Sequence, residues 1–93
     1  MLKDVAVRIP PITPAEARRA LESLRGRAIL QGFRGAPPAD VDGLAEMASR
    51  LSWLAHDLGE EVTEIDLNPV LVLPVGQGAV AVDALIVTLN RPD

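Results

Sequence analysis

The chain has no cysteine and no tyrosine, and Trp53 and Phe33 are its only large aromatic side chains. Without cysteine there can be no disulfide, no thiolate zinc site and no thiol nucleophile. The cysteine count also fits the cytoplasm. Two aromatics, neither interleaved with basic residues, give no platform for stacking nucleic-acid bases. Positive charge is in deficit too: 9 Lys and Arg stand against 13 Asp and Glu, a formal net charge of −4. Non-specific nucleic-acid binding needs the opposite balance, because cations must displace the counterions of the phosphate backbone. No apolar run approaches the ~20 residues that span a bilayer, and the chain shows no signal peptide. The expectation is a cytoplasmic protein that engages neither nucleic acid nor membrane.

What is present is aliphatic. Hydrophobic residues make up 48% and charged residues 24%, a balance that favours a packed core over disorder. The whole chain, residues 1–93, is expected to form one small domain or a piece of a larger one. A chain this short buries a modest share of its surface, so it is expected to lean on a neighbouring domain.

Asp4 to Pro10 alternates, with Val5, Val7 and Ile9 on one face and Ala6 and Arg8 on the other, which predicts a strand. Pro10 and Pro11 stop it. Thr13-Pro14-Ala15-Glu16 is a helix start: a capping hydroxyl, a proline suited to the first turn, and an acid placed to close a capping box. Ala17, Ala20, Leu21 and Leu24 then recur at helical spacing, and Gly26 is the expected stop. Ala28-Ile29-Leu30 reads equally as a short strand or a single helical turn. Glycines and prolines from Gln31 to Pro38 make a loop.

Asp40 is placed to cap a second long helix, whose stripe runs through Val41, Leu44, Ala45, Ala48, Leu51, Ala55 and Leu58 to Gly59. Two strands follow, Val62 to Leu73 and Ala79 to Leu89, joined by the turn Pro74 to Gly78. The predicted fold is α+β: a mainly antiparallel sheet with two helices packed on one face.

The chemistry gathers on the hairpin. Strand alternation points Glu64, Asp66 and Asn68 one way and Ile65 and Leu67 the other, toward the helices. With Val75 and Gly76 at the centre of the turn, paired positions add to 151, which sets Asn68 directly across from Asp83. Opposed residues share a face, with Cβ atoms about 4.5–5.5 Å apart. An amide oxygen and a carboxylate suit a hard cation such as Mg²⁺, which takes one or two side-chain oxygens and completes its shell with water and phosphate. A shift of register by one residue would turn Asp83 away. The bland reading is that these acids are the solvated side of a hairpin, with Asn68-Pro69 marking the end of regular pairing.

Glu64-Ile65-Asp66-Leu67-Asn68-Pro69-Val70-Leu71-Val72, followed by Gly78-Ala79-Val80-Ala81-Val82-Asp83-Ala84, resembles the C-terminal end of an ATP-grasp domain. The resemblance is to the NDP-forming acyl-CoA synthetases, kin to the β subunit of succinyl-CoA synthetase. It extends upstream through Val7-Arg8-Ile9-Pro10-Pro11-Ile12-Thr13 and through Leu30 to Val41, so it covers essentially the whole chain. It implies a part in coupling acyl-CoA thioester formation or cleavage to an NTP, with a phosphohistidine as the relay. It implies that Asn68 and Asp83 hold Mg²⁺ for an ATP or ADP cofactor. It further implies that Asp66 is the catalytic carboxylate facing the relay histidine. Arg34, in its glycine-flanked loop matching the family, is expected either to contact nucleotide phosphate or a partner domain or to be a solvated or structural side chain of a turn shaped by its glycines. Glu64 matches the motif without acquiring a role.

The resemblance covers only the later half of an ATP-grasp domain. Residues that hold adenine and the inner phosphates are expected upstream of Met1, and the chain carries no Gly-rich phosphate loop. His56 lies outside any matching motif and reads as a surface or rim histidine. The chain alone is therefore expected to be inactive, with the remaining ATP-grasp and CoA-binding domains as its partners. Self-association through a sheet edge or exposed helix faces is a further expectation. Arg8 is expected either to pair with Asp66 or Asp83 or to face water, and Trp53 to be a half-buried rim contact or an interface anchor. Arg18, Arg19, Arg25, Arg27 and Arg34 give the first half a basic bias, and most of that group reads as a solvated face. The competing reading is a non-catalytic α+β interaction module that binds no nucleotide. An ATP-grasp ligase with another substrate is a third.

Overall fold

A computed structural model describes residues 4–32 and 35–89. The first long helix, α1 (Pro14–Glu22), begins as its sequence dictates: the Thr13 hydroxyl accepts from the Glu16 amide at 3.1 Å. The reciprocal contact differs from a capping box. Glu16 receives the Thr13 hydroxyl proton at 3.2 Å rather than reaching back to the Thr13 amide. The helix also stops before Gly26. Ser23 closes it, its hydroxyl donating to the Ala20 carbonyl at 2.6 Å. The turn that follows is held by Asp4, whose two carboxylate oxygens accept from the amides of Arg25 and Gly26 at 2.7 Å each.

The ambiguous segment is helical: α2 (Arg27–Leu30) is a single turn. The expected strand from Asp4 to Pro10 is not in any ladder. Its alternation is real, but a strand exists only through hydrogen bonds to a neighbour, and among the described residues this segment has none. The side chains of Val5, Val7 and Ile9 lie in the open rather than in a core.

Helix α3 (Val41–Leu58) is the spine. Every member of its predicted apolar stripe is at least half-covered. Helix α1 packs against α3, and the two buried apolar residues of the described chain, Ala17 and Ala45, come one from each. Ser49, buried on the same helix, donates to the Ile12 carbonyl at 2.7 Å, while Ser52 accepts from the Ile12 amide at 3.0 Å. The two hydroxyls satisfy both backbone groups of a residue that has no ladder.

One turn of 3₁₀ helix (Gly59–Glu61) leads into β1 (Val62–Leu67), β2 (Val70–Val72), β3 (Ala79–Ala81) and β4 (Ala84–Thr88). β1 pairs antiparallel with β4, and β2 with β3. Helix α3 lies across β1, β2 and β3. The α+β class, two long helices with antiparallel strands, stands as read from the sequence.

Candidate functional site

The register is the quantity on which the site depends. β2 and β3 pair Val70 with Ala81 and Val72 with Ala79, while β1 and β4 pair Leu67 with Ala84 and Glu64 with Val87. Partner numbers add to 151 throughout, and the count shifts only at a bulge between Val62 and Glu64. The two ladders are therefore one hairpin, interrupted where Asn68-Pro69 crosses Val82-Asp83. The crossing keeps the register: the Asn68 amide donates to the Asp83 carbonyl at 3.2 Å, and the Val82 amide to the Pro69 carbonyl at 2.9 Å. Asn68 and Asp83 thus oppose one another, as the turn geometry requires.

Alternation sorts the faces. Ile65 and Leu67 are partly covered on the side of α3, while Glu64, Asp66, Asn68 and Asp83 are exposed. One Asp83 oxygen accepts from the Ala84 amide at 2.9 Å, which fixes the carboxylate beside the strand. Among the described residues no three His, Cys, Asp or Glu side chains converge as a metal cage. The donor set here is different: one amide oxygen and one carboxylate. Such a pair suits an ion that draws its remaining ligands from water and phosphate.

The turn that sets this register is anchored from outside the hairpin. Asp40, the cap of α3, accepts from the Gly43 amide at 3.0 Å with one oxygen and from the Gly78 amide at 2.7 Å with the other. Its own amide donates to the Leu73 carbonyl at 2.7 Å, and the Val75 amide donates to the Pro38 carbonyl at 3.2 Å. The Gly43 N–H first, then those of Gly78 and Gly76, hold the Asp40 carboxyl below its usual range; slight desolvation opposes them. A Cβ on Gly43 would stand 2.9 Å from the Gly78 Cα, so helix and turn meet as closely as two glycines permit. Sequence reasoning saw Asp40 only as a helix cap. The signal for its second role was a glycine at each of the two places where the backbones meet.

The other candidates fall apart from this site or outside it. Arg34 lies outside the described residues. Arg8 donates to the Val7 carbonyl at 2.9 Å and takes neither Asp66 nor Asp83 as a hydrogen-bond partner. Trp53 is half-exposed and meets His56 edge to face, with ring centroids 5.8 Å apart on the open side of α3. Arg18 links the helices, pairing with Glu22 on α1 and Asp42 on α3. No helix among the described residues is long and apolar enough to cross a membrane.

The chain belongs to the ATP-grasp domain family, whose model matches residues 1–88. It is 45% identical over 87 residues to the β subunit of acetate–CoA ligase [ADP-forming] II from Pyrococcus furiosus, covering 94% of this chain and 37% of the relative. It is 41% identical over 86 residues to 4-hydroxybutyrate–CoA ligase [ADP-forming] from Nitrosopumilus maritimus, covering 92% of this chain and 12% of that protein.

Solved structures agree. PH1788 from Pyrococcus horikoshii Ot3 superposes with a TM-score of 0.87 at 39% identity, over 95% of this chain and 37% of that one. The dinucleotide-forming acetyl-coenzyme A synthetase 1 of Ca. Korarchaeum cryptofilum, solved with coenzyme A and Mg-AMPPCP, matches with a TM-score of 0.85 at 31% identity, over 92% of this chain and 39% of that one. The chain spans little more than a third of the β subunit and of these solved chains, and about an eighth of the longer ligase.

Proposed function

We propose that these residues supply the Mg²⁺-bearing wall of the ATP-grasp site of an NDP-forming acyl-CoA synthetase. Asn68 and Asp83 would hold the ion, which screens charge on the nucleotide phosphates when bound. The single observation that carries the reading is the register placing an amide and a carboxylate across from each other on the exposed face. Asp66 is one strand position pair away on that face and is the carboxylate that would orient the imidazole of a relay phosphohistidine. Adenine and the inner phosphates are held by parts of the domain that these residues do not span. The 93-residue chain by itself is therefore inactive, and its partners are the remaining ATP-grasp and CoA-binding domains.

The test is a chimera in which this chain replaces the 87-residue matching segment of the P. furiosus β subunit. Asn68→Ala and Asp83→Ala should each weaken Mg·nucleotide binding by about tenfold or more in calorimetry, with little change in melting temperature. Asp66→Asn should leave that affinity intact and slow phosphoryl transfer to the histidine. Unchanged affinity in both metal-site variants returns the chain to the class of non-catalytic modules.

A further inference from the structure

The hairpin arm that ends at Asn68 and Asp83 has little of its own to hold its register. β2 and β3 pair at three positions only, Val70–Ala81, Leu71–Val80 and Val72–Ala79, and neither has another ladder partner among the described residues. Two short strands alone are marginal in water. All six of these residues are aliphatic, so a slip by one would still set aliphatic against aliphatic and could bury either face. Side-chain pairing therefore does little to choose among registers.

The choice is made from outside, at the rung that closes the turn. There the Leu73 amide donates to the Gly78 carbonyl at 2.9 Å. Asp40 grips both strands at this rung. Its amide donates to the Leu73 carbonyl at 2.7 Å, and one of its carboxylate oxygens accepts from the Gly78 amide at 2.7 Å. The other oxygen accepts from the Gly43 amide at 3.0 Å, which ties the grip to the first turn of α3. Displacing either strand by one residue would turn one of these backbone groups away, because successive amides of a strand point to opposite edges. The same displacement would carry Asp83 off the face of Asn68.

We propose that Asp40 is a positioning residue of the metal site, setting the register that brings the Asn68 amide and the Asp83 carboxylate onto one ion. The proposal rests on the reading of Asn68 and Asp83 as Mg²⁺ ligands and adds a residue that acts on them through the backbone of the turn. A small hard ion demands close to ideal geometry of its oxygens, whereas nucleotide bound without metal makes no use of that pair. Asp40 therefore governs the metal-dependent part of nucleotide affinity rather than the whole of it.

Calorimetry on the same chimera, with ADP in excess Mg²⁺ and again in EDTA, separates the two parts. Asp40→Ser keeps a capping hydroxyl for the Gly43 amide but is too short to serve Gly78 as well. It should weaken Mg·ADP binding by about tenfold and change metal-free ADP binding by less than about twofold. In an Asn68→Ala background it should cost nothing further, because both changes act on one pair. The amides of Asn68 and Val82, bonded across the crossing, should exchange faster in Asp40→Ser. Thr13→Ala removes the cap of α1 and controls for stability alone: it should lower the denaturation midpoint and leave both Mg·ADP affinity and those two amides unchanged. Asp40→Asn, with one acceptor oxygen in place of two, should move affinity and exchange in the same direction as Asp40→Ser, and decides the matter should the serine variant fail to fold. Equal loss of Mg·ADP and metal-free ADP binding, a full further loss in the Asn68→Ala background, an effect matched by Thr13→Ala, or unchanged exchange at Asn68 and Val82 would each overturn the proposal. Intact Mg·ADP affinity in both Asp40 variants, beside a loss in Asn68→Ala and Asp83→Ala, would overturn it and leave the metal reading standing. Intact affinity in Asn68→Ala and Asp83→Ala would defeat the metal reading, and the proposal with it.

Discussion

Asp40 shows how one side chain ties a helix start to a distant turn. Its two oxygens serve two backbones: Gly43 at the head of α3 and Gly78 at the base of the hairpin. Both contacts require the charged form to be fully effective, and they hold its proton affinity below that of an ordinary carboxyl. The sign follows directly. A depressed folded pKa means that the folded state binds fewer protons in the acid range. The stabilisation is complete above the unfolded value of about 3.9 and disappears as pH falls through the lower folded value. Asp40→Asn should therefore lower the urea midpoint at about pH 6, with the gap to the parent narrowing as pH falls toward about 2.5. A gap that stays constant over that range would mean that charge is irrelevant to the clamp. Loss of the clamp also frees the turn that sets the register of Asn68 against Asp83. On the proposed reading of Asn68 and Asp83, the same substitution in the chimera should weaken Mg·nucleotide binding.

At the scale of elements, the meeting of α3 with the hairpin turn reverses a familiar rule. Alanine outranks glycine in a helix by up to about 1 kcal/mol, so propensity alone favours Gly43→Ala. The added methyl would stand 2.7 Å from an Asp40 oxygen and 2.9 Å from the Gly78 Cα, and the second of these is backbone that cannot swing aside. Gly43→Ala should thus cost about 1–3 kcal/mol in denaturant titration, the range for overpacking a close contact; a neutral or stabilising result would show that the turn is free to retreat. Elements governed by neighbouring residues were legible in the sequence. Thr13 and Pro14 start α1, the stripe from Val41 to Leu58 lies along α3, and a turn centred on Val75-Gly76 is enough to oppose Asn68 and Asp83. Elements governed by distant partners were not. Alternation in Val5, Val7 and Ile9 encodes a strand that has no neighbour here, and Ala28-Ile29-Leu30 is too short for periodicity to choose a helical turn. The Asp40–Gly78 bond joins residues 38 positions apart, beyond the reach of any local pattern.

At the scale of the molecule, the area does not balance. A compact monomer of 9.9 kDa exposes about 5,200 Å², whereas this chain exposes 7021 Å². Its radius of gyration is 14.7 Å, against about 12 Å for a compact chain of this length. The buried set among the described residues is Ala17, Ala45 and Ser49, without one large aliphatic side chain. Every residue of β4 is exposed, Leu85, Ile86 and Val87 included, so the β1–β4 ribbon offers apolar side chains that nothing in these residues covers. Leucine, valine and isoleucine are abundant, so composition is not what limits the core. The limit is the number of layers available to enclose it, since a sheet face is stabilised only by burial against another element. The 93-residue chain by itself should therefore bind the dye ANS at neutral pH and lose its helical signal over a broad denaturant range. Within the chimera the same residues should melt cooperatively and shed the dye, because the missing layers supply the burial. A sharp two-state transition in the isolated chain, with no dye bound and a denaturant slope appropriate to a packed domain of this length, would show that its few buried contacts suffice. It would also remove the reason for the apolar ribbon to seek partners at all.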